Sequence, residues 1–156
     1  MKIMLYIVIG LLSAISLYFV ALSISSRKLP DLGMIDGRLR ACPHTPNCVS
    51  SEQQNEGAFI EPLSFSSTAD DAWGDAKRAI VETGGVIVSE GDGYLRAQFV
   101  TPLMRYIDDV ELRMDLNKHV IHIRSASRVG RSDLGANRAR VEKIRMAFLH
   151  NTGLDK

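Results

Sequence analysis

The chain has 156 residues, of which 46% are hydrophobic and 24% charged, and its formal net charge is +1. That length allows one domain with a single hydrophobic core beside any membrane segment, and not two. The near-neutral balance argues against nucleic acid as a partner and requires any dense local charge to find opposite charge nearby.

Ile3 to Ile24 reads IMLYIVIGLLSAISLYFVALSI, without a charged residue. At about 1.5 Å per residue this run makes roughly 33 Å of helix, enough to cross a hydrocarbon core of about 30 Å. No polar face interrupts it, as one would in a soluble helix. Ala21 and Ser23 would suit a cleavage site, but a cleaved signal peptide carries an apolar region of only about 7–15 residues. Residues 1–26 are therefore expected to be a transmembrane signal anchor, single-pass in the cell membrane, with the lipid bilayer as its partner. Lys2 lies on one side and Arg27 and Lys28 on the other, so charge does not set the orientation. Residues 27–40 carry Pro30, Gly33 and Gly37 and little periodicity, and read as a linker lifting the domain 41–152 off the membrane.

The two cysteines, Cys42 and Cys48, lie close together with Pro43 and Pro46 stiffening the spacer. A pair in an otherwise cysteine-free domain favours a disulfide and an oxidising compartment. The domain is accordingly expected on the extracytoplasmic, periplasmic side. A metal site from Cys42, His44 and Cys48 lacks a two-cysteine knuckle and a fourth ligand. Haem attachment lacks its C-x-x-C-H. No metal and no cofactor is expected.

Ala69, Trp73, Ala76, Ile80 and Thr83 recur at helical spacing over Ser66 to Thr83, with Thr68 and Asp71 as a capping pair and Gly84-Gly85 as the stop. Four strand-like runs follow, over 85–90, 94–101, 105–115 and 118–128, joined by short turns that imply an antiparallel meander. A second amphipathic helix, from about Leu134 to His150, buries Val141, Ile144 and Phe148. The expected fold is α+β: an N-terminal transmembrane helix, then a four-stranded antiparallel sheet with two helices packed on one face.

Charge is unevenly divided. Residues 52–115 hold 13 acidic and 5 basic side chains, while 121–145 hold 7 basic and 2 acidic. In the third strand, parity puts Val110, Leu112 and Met114 on one face with Asp108, and Asp109, Glu111 and Arg113 on the other. In the fourth, Ile121 and Ile123 share a face with Ser125 and Ser127, opposite His122, Arg124 and Arg128. Matching the apolar faces requires paired residue numbers to sum to 235 or 233. The first sets Glu111 against Arg124, the second Asp109 against Arg124. Either makes a ladder of opposite charges, expected on the solvated face and worth tenths of a kcal/mol per pair.

Asp108 instead lies in phase with the core and needs donors. Asp108, Ser127, Asp133, Asn137 and Arg140 are expected to form one network where the last strand turns into the last helix. With Asp109, Arg124, Arg128 and Arg131 they are the ligand-binding candidates. A structural network pinning the last helix to the sheet is the blander role for the same residues. There is no nucleophile elbow, P-loop, HExxH or dinucleotide fingerprint, so no catalytic residue is assigned. A hydrolase could be assembled only from Asp108 or Asp109 as base with Arg124 or Arg128 as stabiliser. The leading expectation is a non-catalytic envelope domain that binds a protein or an anionic ligand; a hydrolase and a purely structural domain are the alternatives.

Three segments occur in order: Cys42-Pro43-His44-Thr45-Pro46-Asn47-Cys48-Val49-Ser50-Ser51; Asp108-Asp109-Val110-Glu111; and Arg124-Ser125-Ala126-Ser127-Arg128-Val129-Gly130 with Ser132-Asp133-Leu134-Gly135, Asn137-Arg138 and Arg140. Together they make residues 38–150 resemble the family called domain of unknown function 1499. The resemblance implies a small bacterial protein with an N-terminal membrane segment or signal. It implies no activity and no catalytic roles.

Overall fold

A computed structural model describes residues 1–153. Helix α1, Lys2–Ser25, has none of its residues buried. It is long and apolar enough to cross a membrane. The helix does not end in a free spacer. Ser26 continues its hydrogen bonding, with its N–H donating to Leu22 O at 2.9 Å, and is itself fully buried against the domain.

Two short strands, β1 (Met34–Ile35) and β2 (Arg38–Leu39), pair antiparallel across a turn at Asp36-Gly37. Both turn residues have positive φ, 50° and 72°, as a two-residue hairpin turn demands. Strands β3 (Cys48–Ser50) and β4 (Leu63–Ser64) precede helix α2 (Ala69–Glu82). Thr68 caps α2 by accepting the Asp71 N–H, and its hydroxyl donates to Asp71 Oδ2 at 2.7 Å, so the expected capping pair forms. The meander follows as β5 (Val86–Gly91), β6 (Tyr94–Val100), β7 (Ile107–Asp115) and β8 (Val120–Ser127), and α3 (Ala136–Thr152) closes the fold.

The main sheet has six strands rather than four. Its order is β3-β8-β7-β6-β5, with β4 also on β8. β3 pairs with residues 124–126 of β8 and β4 with 120–121, both antiparallel. The two additions are three and two residues long, too short for an alternating pattern to announce them. They complete the outer edge of β8, which would otherwise present unpaired backbone to solvent. The β7–β8 register sets Asp108 against Ser127, Glu111 against Arg124 and Arg113 against His122, the pairing in which residue numbers sum to 235.

One sheet face makes the core. Leu95, Ala97, Phe99, Val110, Leu112, Ile121 and Ile123 pack with Ala72, Ala76, Ala79 and Ile80 of α2 and with Val141, Ile144 and Phe148 of α3. The other face is the ladder expected to be solvated, and it is buried: Asp109, Glu111, His122 and Arg124 are all enclosed. The cover includes the segment expected to be a linker. The Gly33 N–H donates to Glu111 Oε1 at 2.8 Å, the Leu39 N–H to Glu52 Oε2 at 2.6 Å and the Cys42 N–H to Gln53 Oε1 at 3.2 Å. Residues 26–42 thus form a strap over the polar face. These three bonds come from the strap's backbone, beside the Arg38 Nε bond to Glu52 Oε1 at 3.3 Å, and backbone contacts leave no periodicity in the sequence.

Candidate functional site

The polar residues fall into two layers on opposite sides of the sheet. On the helix side, Asn137 is the hub, fully buried on the inward stripe of α3. Its Oδ1 accepts from Ser125 Oγ and Arg140 Nη1, each at 2.6 Å. An arginine can only donate, so the amide oxygen must face it. The amide nitrogen lies 2.9 Å from Asn47 O, 2.9 Å from Ser127 Oγ and 2.7 Å from Asp133 Oδ2. Asp133 in turn accepts the N–H groups of Gly135 at 3.0 Å and Asn137 at 2.8 Å, which satisfies the free amides at the start of α3. Arg140 reaches Asp108 Oδ2 at 2.5 Å and lies over the Phe99 ring, 5.1 Å from its centroid. Burial pushes the Asp108 carboxyl above its usual range, with Arg140 and Ser127 pulling it back only in part.

On the strap side, Asp109 takes both Nε and Nη2 of Arg128, at 2.6 and 2.7 Å. The side chains of this bidentate pair are only 1% and 4% exposed. Arg128 Nη1 donates to Ser26 O at 3.1 Å, which ties the end of α1 to the end of the sheet. Glu111, 0% exposed, collects Arg124 Nη1, Tyr94 Oη and the Gly33 N–H at 2.7, 2.7 and 2.8 Å. The Tyr94 hydroxyl is pushed far up by burial and by the Glu111 carboxylate. Glu52 holds Arg113 Nη2 at 2.8 Å in addition to Leu39.

His122 sits at the end of this layer. Ser51 Oγ accepts the Ile123 N–H at 3.0 Å and lies 3.0 Å from His122 Nδ1. The hydroxyl proton is then free to point at Nδ1, leaving the imidazole proton on Nε2, which faces Asp115 Oδ2 at 3.5 Å. Burial holds the His122 pKa below its ordinary 6.5, although Glu52 and Asp115 oppose the shift. Burial pushes Glu52 up, but hydrogen bonds from Arg113 and Leu39 and the Arg113 charge outweigh it and hold Glu52 below 4.5.

Acid should therefore weaken the strap side in two stages. A buried neutral histidine costs stability once the unfolded chain binds its proton, so the loss begins as pH falls below about 6.5. Glu52 contributes stability above its ordinary 4.5, and that contribution disappears as pH falls through the depressed folded value. Denaturation midpoints across an acid titration should show both stages. His122→Asn should remove the first and Glu52→Gln the second; an unchanged profile in either variant would contradict the assignment.

The nine sequence candidates are thus placed as follows. Asp108, Ser127, Asp133, Asn137 and Arg140 come together in one network. Asp109 and Arg128 form a pair on the opposite face, where Arg124 pairs with Glu111. Arg131 is exposed on the turn before α3. Of the nine, Asp133 alone lines a usable opening. A cleft of about 630 Å³ lies between the Cys42–Cys48 loop, the 53–58 loop and the start of α3, and His44, Thr45, Gln53, Asn55, Asp133 and Arg138 are among its walls. Cys42 and Cys48 are joined by a disulfide, which fixes one rim. Arg138 spans to the other, donating to Gly57 O and Phe59 O at 3.1 and 2.8 Å. Strand and helix periodicity could not have found this cleft, since loops make most of it. Among the described residues, no group of three or more His, Cys, Asp or Glu side chains is arranged to hold a metal ion.

The three polar segments that build these layers lie within one family match. The family described as protein of unknown function (DUF1499) matches residues 38–148. The chain belongs to this family. The matched span of this DUF1499 chain begins at Arg38 in β2 and ends at Phe148 in α3. It takes in the charged side chains of both polar layers and the cleft, and leaves out α1 and the strap residues Ser26 and Gly33. No curated protein matches the chain significantly.

Proposed function

We propose that this protein is a membrane-tethered, non-catalytic domain on the extracytoplasmic side of the cell membrane, and that it binds an envelope protein at the cleft beside the Cys42–Cys48 loop. The observation that carries the reading is Leu134. It is 97% exposed and has a φ of +53°, a left-handed conformation that costs a non-glycine residue about 1–2 kcal/mol. It lies between Asp133 and Gly135, which line the cleft. An apolar side chain held out at the edge of a disulfide-braced cleft suits an anchor that enters a partner's pocket. The disulfide supports the oxidising side of the membrane.

An anionic ligand at the start of α3 is less well supported, because Asp133 already occupies the N–H groups there. The hydrolase alternative is disfavoured by burial: Asp108 and Asp109 are enclosed and each is paired with an arginine, so neither reaches a substrate in this conformation. The test is site-specific photo-crosslinking in native membranes, with benzoylphenylalanine at position 134 and, as control, at exposed Leu116 on the β7–β8 turn. A discrete protein adduct from 134 and none from 116 is expected. No adduct from 134, or the same products from both positions, would favour the purely structural reading.

A further inference from the structure

We infer that the Thr101–Tyr106 loop is a second membrane contact, in which Leu103 and Met104 enter the headgroup–acyl boundary beside α1 while Arg27, Lys28 and Arg105 meet anionic phospholipid headgroups. The inference rests on the reading of α1 as a membrane span. The loop joins β6 to β7 and is closed on itself: Thr101 N–H donates to Tyr106 O at 2.9 Å, Arg105 N–H to Thr101 O at 3.1 Å, and Tyr106 N–H to Thr101 Oγ1 at 2.9 Å. Leu103 is held at the tip, 83% exposed.

Two observations place that tip at a bilayer. A groove of about 450 Å³ lies between the loop and the last turns of α1, and Phe19, Val20, Ile24, Leu103 and Met104 help to line it. One wall of the groove is the membrane-spanning helix, so what fills the groove is what surrounds that helix, namely lipid. The second observation is rigidity. Ser26 Oγ accepts the Ile107 N–H at 3.2 Å and Ser26 O accepts from Arg128 at 3.1 Å, so helix and sheet are joined without a spacer. Phe19 lies about 9 Å along the helix from its C-terminal end, a depth that spans the interfacial zone and the outermost hydrocarbon.

The charge agrees with this seat. Arg27, Lys28 and Arg105 are exposed around the same end of the helix, and none forms an ion pair with a described residue. Asp31, the acid nearest to Arg27 and Lys28 along the chain, is paired with Arg40 at 2.9 Å, and Asp108, the nearest to Arg105, is paired with Arg140. Apolar tips ringed by unpaired cations suit an anionic interface.

The test uses the full chain reconstituted in phosphatidylcholine vesicles, with and without phosphatidylglycerol. An environment-sensitive fluorophore is placed at Leu103→Cys, at Ala14→Cys within α1, or at Leu116→Cys on the far turn; the native cysteines are paired and do not react. Doxyl-labelled lipid should quench positions 14 and 103 strongly and leave 116 bright. Phosphatidylglycerol should deepen the quenching at 103, and Arg105→Glu should reduce that gain without changing position 14. Quenching at 14 but not at 103 overturns the second contact while the anchor stands, and quenching at neither overturns the anchor as well. Quenching at 103 that is indifferent to phosphatidylglycerol overturns the assignment of the three cations to headgroups.

Discussion

Asn137→Ala is expected to lower the stability of the domain that follows α1 by about 3–5 kcal/mol, as the removed amide leaves several buried polar groups unsatisfied at roughly 1–3 kcal/mol each. Asn137 joins α3 to β8 through Ser125 and Ser127, to the chain entering β3 through Asn47, to the turn before α3 through Asp133, and to Arg140 within its own helix. Asp108 stays buried after the substitution, with an Arg140 that is no longer positioned by the Asn137 oxygen. Denaturant unfolding of the full chain in micelles reads this directly, with Trp73, the single tryptophan, as the fluorescent probe on α2. Ser132→Ala, on the exposed turn, should change little. A loss below about 1 kcal/mol for Asn137→Ala would mean that the network holds α3 only weakly.

The second large effect is expected at Glu111. Glu111→Ala strands Arg124 in a buried site, where its Nε already has no partner, and removes the acceptor for Tyr94 and for the strap at Gly33. Breaking a buried pair from one side costs about 3–5 kcal/mol. Replacing both partners with apolar residues of similar volume, Glu111→Met with Arg124→Met, should cost less than the single change, because no unpaired charge remains inside. The same melts give both values. If the double substitution is the more damaging of the two, the ion pair stabilises the fold beyond its own desolvation, and the ordering argued here is wrong.

Much of the architecture was legible because two periodicities and one parity rule acted on long elements. Thr68 with Asp71 marked the start of α2. Apolar alternation in β7 and β8 limited the register to two choices, and the one formed puts Asp108 opposite Ser127. The same phase reasoning drew Asp108, Asn137 and Arg140 together across a separation of 32 residues between the carboxylate and the guanidinium.

What was not legible depended on segments without a pattern. β3 and β4 are set by the free edge of β8 rather than by their own sequence. The ladder of Asp109, Glu111, His122 and Arg124 reads as a wet face, since an antiparallel sheet with one apolar side commonly exposes the other. Only contact with a strap 78 residues away, at the Gly33–Glu111 hydrogen bond, turns those surface pairs into interior ones. The arginine-rich stretch then needs no ligand to explain most of its charge: Arg124, Arg128, Arg140 and Arg145 each have a carboxylate of the same chain. Arg138 binds the carbonyls that shape the cleft. This separation of a closed, structural charge network from an open loop-built cleft agrees with the proposal, carried by Leu134, of recognition beside the disulfide.

Amide hydrogen exchange at Gly33 and Leu39 tests the burial of the charged face most directly. Both N–H groups donate to carboxylates under the strap, so in the full-length protein they should be protected well beyond the exposed amides of the β7–β8 turn. Glu111→Ala should release Gly33 first. Exchange of Gly33 and Leu39 at the rate of an unstructured linker would show that the charged face is open to solvent, and would return Asp109, Glu111, Arg124 and Arg128 to the surface as a candidate binding site.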